Sequence, residues 1–125
     1  MRILLDTHVY LWWLQDHPKL SKNARRKIVS AAEVYVSSAS IWEASIKAGM
    51  GKLDVDVNAL VAEIENSGFR ELPVTARHAA MVMQLPDVHR DPFDRILIAQ
   101  ALCEPLRFLT VDDVLQRYSE LVITV

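Results

Sequence analysis

Residues 2–6 of the chain read Arg-Ile-Leu-Leu-Asp, a short apolar run that ends in an acid. A continuous apolar run of this length is typical of a strand that is buried on both faces of a parallel sheet. This interpretation places Asp6 at the carboxyl end of the first strand. Because open α/β sheets bind their ligands beyond the carboxyl ends of the strands, Asp6 is the first candidate for a functional residue.

Outward from this strand, β-rich runs alternate with helical patterns along the rest of the chain. Further strands are predicted at residues 34–37, 72–74, 106–110 and 121–125. Helices are predicted from Val9 to Pro18, from Ser21 to Ala32, at about 39–48 and 57–67, from Thr75 to Pro86, from Asp91 to Cys103 and at 111–118. The alternation predicts an α/β fold, a three-layer α/β/α sandwich whose parallel sheet has four or five strands joined by right-handed crossovers.

Composition and charge restrict the class of protein. The 125 residues, 51% of them hydrophobic, are enough for one substantial core, so a single domain over residues 1–125 is expected. A formal net charge of −2 provides no broad basic surface, so any nucleic-acid binding must be local. Cys103 is the single cysteine, and no apolar run approaches the length of a membrane span, about 20 residues. These features favour the cytoplasm, with neither an internal disulfide nor a membrane helix.

Four acids are predicted to meet at one edge of the sheet. Asp6 follows the first strand, Glu43 lies in the helix after the second, and Asp112 follows the strand at 106–110. Asp94 lies in the first turn of a helix that starts at Asp91-Pro92, so it can point to the same edge. Clustered carboxylates need protons or a divalent cation to offset their repulsion, and Mg²⁺ prefers oxygen ligands. The sequence therefore predicts a magnesium site, in which Mn²⁺ is a possible substitute.

The segments that carry these acids resemble a known family. They are Leu4-Leu5-Asp6-Thr7-His8, Ser37-Ser38-Ala39-Ser40-Ile41-Trp42-Glu43, Asp91-Pro92-Phe93-Asp94-Arg95-Ile96-Leu97-Ile98-Ala99-Gln100-Ala101 and Leu109-Thr110-Val111-Asp112. Taken in this order, they resemble PIN domains and, more narrowly, the VapC-type toxins of bacterial toxin–antitoxin pairs. The resemblance spans almost the whole chain, and its joint spacing is highly specific although each fragment alone is weak.

The resemblance implies an activity and a set of roles. Asp6, Glu43, Asp94 and Asp112 match the acidic metal-site positions of PIN domains, and Thr110 matches the small hydroxyl residue that precedes the last acid. The implied reaction is endonucleolytic cleavage of RNA by metal-activated water, which leaves 3′-hydroxyl and 5′-phosphate ends. We expect Asp6 and then Asp94 to be direct metal ligands, and Glu43 and Asp112 to bind through water or to orient the nucleophile. A homodimer and a cognate antitoxin that covers the acidic cleft are the implied partners.

Three basic residues are candidates for RNA contacts. Arg90 and Arg95 flank the acidic segment, and local cations beside a metal centre would offset the unfavourable net charge. Lys47 is the third candidate. The alternatives are a solvated or paired arginine and, for Lys47, a surface ion pair with Glu43 four residues away.

Other polar and aromatic residues have weaker signals. Thr7 is placed beside the site, and so is Asp91, which is better explained as the N-cap of its helix. His8 and His89 neighbour the predicted site and could touch substrate, but the four histidines form no zinc motif. Trp42, like the other two tryptophans, fits a helical core or a dimer contact better than a base-stacking platform.

Three other functional classes compete with a metal-dependent nuclease. A phosphoaspartate receiver domain has a similar size, a doubly wound fold and acids at strand ends. However, receivers resemble chains with paired acids after the first strand, whereas Asp6 is followed by Thr7 and His8. A haloacid-dehalogenase-like phosphatase would ordinarily carry Asp-X-Asp there, and His8 occupies the second acid's position. A PIN fold that only binds RNA or protein is disfavoured because all four acids are retained.

Overall fold

A five-stranded parallel sheet lies at the centre of the fold in the computed structural model, which describes all residues from 1 to 125. The strand order is β3-β2-β1-β4-β5, and every pairing is parallel. The strands are β1 (Arg2–Leu5), β2 (Glu33–Ser37), β3 (Arg70–Leu72), β4 (Arg107–Thr110) and β5 (Val122–Thr124). The predicted α/β class and parallel sheet are confirmed.

Six α-helices connect and cover these strands. They are α1 (Thr7–Gln15), α2 (Lys22–Ser30), α3 (Ser38–Gly49), α4 (Val57–Asn66), α5 (Ala76–Met81) and α6 (Pro92–Cys103). Side-chain oxygens of Ser21, Asp56, Thr75 and Asp91 accept backbone N–H groups at the first turns of α2, α4, α5 and α6. Each cap satisfies N–H groups that have no partner within the helix, which explains why these helices begin where they do.

The side chains of β1 alternate between two apolar cores. Ile3 and Leu5 belong to one core, which α1, α2 and α4 cover, whereas Leu4 belongs to the other, which α6 covers. Helix α3 contacts both cores, because Ala39 packs into the second core and Ala44 into the first. This arrangement gives the three-layer α/β/α sandwich and brings α3 and α6 to the carboxyl edge of β1.

The third strand was predicted two residues too late. It runs from Arg70 to Leu72 rather than over 72–74, because Pro73 has no N–H to donate to a neighbouring strand. At the other end, Gly68 adopts the left-handed conformation, with φ of 78°, and turns the chain directly after α4.

Two predicted helices are shorter or tighter than expected. The helix at 111–118 is a 3₁₀ helix over Asp113–Arg117, and the helix that begins after Thr75 passes into a 3₁₀ segment over Val82–Gln84. None of the helices has the length and apolar character that a membrane crossing requires. Cys103 is buried, as predicted for a small apolar side chain.

The strand order defines where a site can form. From β1 the chain adds β2 and β3 on one side, and then crosses to the other side of β1 to add β4 and β5. The carboxyl ends of β1 and β4 therefore border the point at which the order reverses, where open α/β sheets have their binding crevice. Asp6 and Asp112 follow these two strands.

Candidate metal centre

Asp6 is a buried carboxylate whose two oxygens both accept hydrogen bonds. Its Oδ1 accepts from the backbone N–H of Thr7 at 2.7 Å, so Asp6 is the N-cap of α1. Its Oδ2 accepts from the hydroxyl of Thr110 at 2.6 Å. That hydroxyl also accepts the backbone N–H of Asp112 at 3.1 Å. Thr7 and Thr110 thus fix the orientation of Asp6 from two different elements.

The Asp6 carboxylate is nevertheless costly to ionise. Burial raises its pKa above the ordinary value, and the charge of Glu43 adds to this rise. The hydrogen bond from Thr110, the charge of His8 and the Thr7 N–H act in the opposite direction without cancelling the effect of burial. A nearby cation would stabilise the charged form.

Asp94 lies in the first turn of α6, on the edge where Asp6 is found. Burial raises its pKa to about 7, and the charges of Asp6, Asp91 and Glu43 add to the rise while His89 opposes it. Asp91 caps this helix, since its Oδ1 accepts the N–H groups of Phe93 at 2.9 Å and Asp94 at 3.4 Å. The predicted capping role of Asp91 is confirmed, and its charge also reaches Asp94.

Asp94, Asp112 and His89 lie close enough together to hold one metal ion. One potential ligand atom from each residue lies within 4.8 Å of the others. His89 Nε2 is 3.2 Å from Asp94 Oδ2. The Oδ1 atom of Asp112 accepts the N–H of Val114 at 3.1 Å as the cap of the last 3₁₀ helix. Asp6 and Glu43 are not part of this group and act on Asp94 through their charges.

Sequence reasoning gave His89 no ligand role, because the chain has no second histidine or cysteine at a metal-binding spacing. The signal that could have found it is its position in the segment leading into α6, two residues before the capping Asp91. The fold brings the end of β4 and this segment together, which the sequence spacing of 23 residues between His89 and Asp112 does not reveal.

Glu43 is a buried acid on α3 that is paired with Lys47. The Lys47 Nζ atom lies 2.7 Å from Glu43 Oε2, and only 7% of the Glu43 side chain is exposed. The hydrogen bond to Glu43 raises the pKa of Lys47, and the charges of Glu43, Asp91 and Asp94 add to the rise although burial opposes it. The predicted ion pair is present, but its acid is buried rather than at the surface, and it connects Lys47 to the acidic site.

The two arginines occupy different positions. The Arg95 guanidinium donates to the carbonyl oxygens of Pro86 and Val82 and to the hydroxyl of Tyr118, at 3.1, 3.2 and 3.2 Å. The paired-arginine alternative is therefore present in the structure, and the phosphate contact of Arg95 stays a prediction. Arg90 is exposed, and its side chain makes no hydrogen bond or ion pair within the chain.

Trp42 lies at the surface. It is 63% exposed, which excludes the predicted core position, while the alternative of a dimer contact stays a prediction. Its ring meets Phe93 edge-on at 5.3 Å between centroids. A cavity of about 630 Å³ beside α3 and α6 is lined by Trp42 and Phe93 together with Val74 and Val82. None of the four predicted acids lines this cavity, although Phe93 and Arg95, the chain neighbours of Asp94, do.

A model of the PIN domain family matches residues 3–121. The chain belongs to the PIN domain family. Ribonuclease VapC22 of Mycobacterium tuberculosis is 29% identical over 113 residues, which are 88% of this chain and 86% of that protein. The resemblance to PIN domains and VapC-type proteins is therefore confirmed.

Solved structures share the same PIN fold. The VapBC2 structure from Rickettsia felis, bound to a DNA fragment from its promoter, matches with a TM-score of 0.73 and 16% identity, over 99% of this chain and 98% of that chain. FitAcB from Neisseria gonorrhoeae matches with a TM-score of 0.68 and 23% identity, over 98% and 96%. At these identities the likeness shows the fold alone.

The acids of this PIN domain fit a divalent cation. Asp6, Asp94 and Asp112 form no ion pair with any lysine or arginine, although burial and mutual repulsion disfavour charge on Asp6 and Asp94. A set of carboxylate oxygens with one imidazole nitrogen can bind Mg²⁺ or Mn²⁺. The donor chemistry at the carboxyl edge of β1 and β4 therefore agrees with a metal-dependent site.

Proposed function

We propose that this PIN domain is a metal-dependent endoribonuclease and the toxin of a toxin–antitoxin pair, which hydrolyses RNA phosphodiester bonds with Mg²⁺ or, as a substitute, Mn²⁺. The observation that carries the proposal is the convergence of Asp6, Asp94 and Asp112 at one edge without a lysine or arginine partner. Similarity to a ribonuclease over most of the chain gives the proposal its substrate class.

The residues of the site divide the work between holding a cation and orienting the carboxylates. When bound, a divalent cation polarises a phosphoryl oxygen and makes a water more acidic. Asp94 and Asp112 present oxygens from two elements, while Thr7 and Thr110 hold Asp6 in one orientation. The ion pair with Glu43 holds the Lys47 ammonium near these acids, where it forms no ion pair with Asp6, Asp94 or Asp112.

Recognition of the RNA backbone requires local positive charge, because the whole chain has a formal charge of −2. Arg90 is exposed and precedes the capping Asp91, so its guanidinium is available to a phosphate near Asp94. Lys47 is the second contact we propose, since its ammonium lies at the acidic site while 39% of its side chain remains exposed.

Cleavage of a transcriptome RNA pool tests the activity. We expect cleavage with Mg²⁺ or Mn²⁺, none with excess chelator, and products with 5′-phosphate and 3′-hydroxyl ends. Asp112→Asn should abolish cleavage, whereas Asp113→Asn, which removes the same charge one residue away and outside the metal-binding group, should retain it. Equal cleavage in chelator would contradict the metal mechanism. No cleavage with either metal would favour a PIN fold that only binds.

The same resemblance supports proposals for partners and location. We propose a homodimer in the cytoplasm and a small antitoxin as its partner; the antitoxin proposal draws on the VapBC structures that share the fold. Light scattering should then give twice the chain mass of 14.2 kDa.

Expression alone should arrest growth, and a small protein encoded beside the gene should relieve the arrest by direct binding. Harmless expression of active protein and no binder in pull-downs would instead indicate a housekeeping nuclease.

A further inference from the structure

The imidazole of His89 faces the carboxylates without making a hydrogen bond to them. Its Nε2 atom is buried and lies 3.2 Å from Asp94 Oδ2, yet the geometry satisfies no hydrogen bond to any group. Asp112 completes the group, in which one potential ligand atom each from His89, Asp94 and Asp112 lies within 4.8 Å of the others. We propose that His89 is a direct nitrogen ligand of the divalent cation bound by Asp94 and Asp112, an inference that rests on the proposed metal-dependent function.

The ring of His89 is held in this position by Tyr118. The Tyr118 hydroxyl lies 3.4 Å from Nδ1, and the two rings meet edge-on with centroids 5.7 Å apart. The hydroxyl also accepts the backbone N–H of His89 at 3.2 Å and donates to its carbonyl at 3.1 Å. Metal-binding histidines commonly donate the other ring N–H to an oxygen acceptor, which fixes the tautomer and the ring orientation, and the Tyr118 hydroxyl offers an oxygen at this position.

Arg95 extends this support to the whole segment that carries His89. Its guanidinium donates to the Tyr118 hydroxyl at 3.2 Å and to the carbonyl of Pro86 at 3.1 Å. These two hydrogen bonds connect α6 both to Tyr118 and to the segment that precedes His89. In the tautomer with its proton on Nδ1, directed toward Tyr118, His89 has its lone pair on Nε2, 3.2 Å from Asp94 Oδ2 and in the group that includes Asp112. A lone pair beside two carboxylates is unfavourable alone and becomes favourable when a cation lies between them.

A nitrogen ligand changes the metal preference of the site. Mg²⁺ strongly prefers oxygen ligands, whereas imidazole is a good ligand for Mn²⁺ and the later divalent metals of the first transition row. His89 should therefore raise the affinity for Mn²⁺ relative to Mg²⁺. Replacement of His89 by Gln removes the ring nitrogen and keeps a neutral polar side chain.

Pulsed electron paramagnetic resonance of bound Mn²⁺ tests the proposal directly. In protein labelled with ¹⁵N-histidine, the wild type should show coupling between Mn²⁺ and a ring nitrogen, and His89→Gln should lose it. His8→Gln should keep the coupling, because His8 is the other histidine beside the site and its ring is exposed. In calorimetry, Mn²⁺ affinity should fall roughly tenfold or more in His89→Gln, with a smaller loss for Mg²⁺.

Three outcomes separate this inference from the proposed function. Nitrogen coupling that persists in His89→Gln, or that is absent from a wild type that binds Mn²⁺ and cleaves RNA, overturns the role of His89 and leaves the nuclease intact. Absence of any Mn²⁺ or Mg²⁺ binding overturns both. Circular dichroism of His89→Gln in chelator shows whether the variant keeps the fold. Tyr118→Phe is a second variant, in which His89 remains and the coupling between Mn²⁺ and the ring nitrogen should weaken.

Discussion

Asp6 combines a structural contact with a chemical one. It caps α1 through the Thr7 N–H, and it accepts the Thr110 hydroxyl on its other oxygen. Both contacts stabilise the carboxylate, yet burial raises its pKa overall. Asn is also a good N-cap residue, so replacement of Asp6 by Asn keeps the cap while it removes the unfavourable charge.

We expect Asp6→Asn to leave the metal-free protein as stable as the wild type or more stable. The reason is that charges brought together in the folded state disfavour their own ionisation, and this variant removes one of them. With Mg²⁺ the order of the two stabilities should reverse, or the difference between them should narrow, because the wild type gains more stability from binding the cation. RNA cleavage should collapse. Thermal melts with and without Mg²⁺, together with one cleavage assay, measure these effects.

A purely structural role for Asp6 predicts the opposite pattern. The variant would melt at a lower temperature in chelator, respond to Mg²⁺ as the wild type does, and retain cleavage once folded. Asp113→Asn is the matched control, because Asp113 is exposed and lies outside the metal-binding group. It should follow the wild type in all three measurements.

The segment between α5 and α6 has no regular secondary structure of its own over its last residues, and α6 holds it in place. Arg95 on α6 binds the carbonyls of Val82 and Pro86 and the hydroxyl of Tyr118. Removal of the guanidinium would leave these three acceptors without their donor. A hydrogen bond to a charged group contributes about 1.5–3 kcal/mol to the free energy of unfolding. The segment that carries His89 is therefore positioned by a side chain on a neighbouring helix.

Arg95→Met and Arg90→Met should have contrasting effects. Arg95→Met should lower the free energy of unfolding by on the order of 2 kcal/mol and weaken Mn²⁺ binding, because the segment of His89 loses its support. Arg90→Met should change stability by less than about 0.5 kcal/mol, as for an exposed side chain, while RNA binding weakens. Urea unfolding and RNA-binding titrations in chelator distinguish them. If Arg95→Met were as stable as the wild type and lost only RNA affinity, the result would support the predicted contact between Arg95 and a phosphate.

Elements whose signals are local could be predicted from the sequence, and those that depend on packing could not. Asp91 and Thr75 were found as caps because the cap and its N–H partners lie within three residues. The sequence left the role of Arg95 open between a phosphate contact and a paired arginine, because its partner Tyr118 is 23 residues away and only the fold decides whether a guanidinium faces solvent or a carbonyl. The nearness of His89 to Asp112 likewise depends on the fold and not on a local signal. The convergence of the acids was predictable because parallel strands place their carboxyl ends at one edge.

At the scale of the whole molecule, the acidic site makes stability depend on pH. Asp94 has a pKa of about 7 in the folded protein, against an ordinary value of 3.8. Between these values the folded chain keeps a proton that the unfolded chain releases. The contribution of Asp94 to the free energy of unfolding therefore falls as the pH rises through this window, and it levels off above about pH 7. This sign is the reverse of that for a carboxylate stabilised by an ion pair.

We expect the metal-free wild type to lose stability relative to Asp94→Asn between pH 5 and pH 8. Residue 94 of the Asn variant cannot ionise, so the change in the difference between the two proteins reports the ionisation of Asp94 together with its coupling to neighbours such as His89. The change should be on the order of 2 kcal/mol, with the wild type the less favoured protein at pH 8. Urea unfolding in chelator at the two pH values measures it. Saturating Mg²⁺ at pH 8 should shrink the difference, because a bound cation favours the ionised carboxylate and stabilises the folded state. If the two proteins change in parallel from pH 5 to pH 8, Asp94 ionises as easily in the folded chain as in the unfolded one, and the electrostatic case for a cation at this site fails.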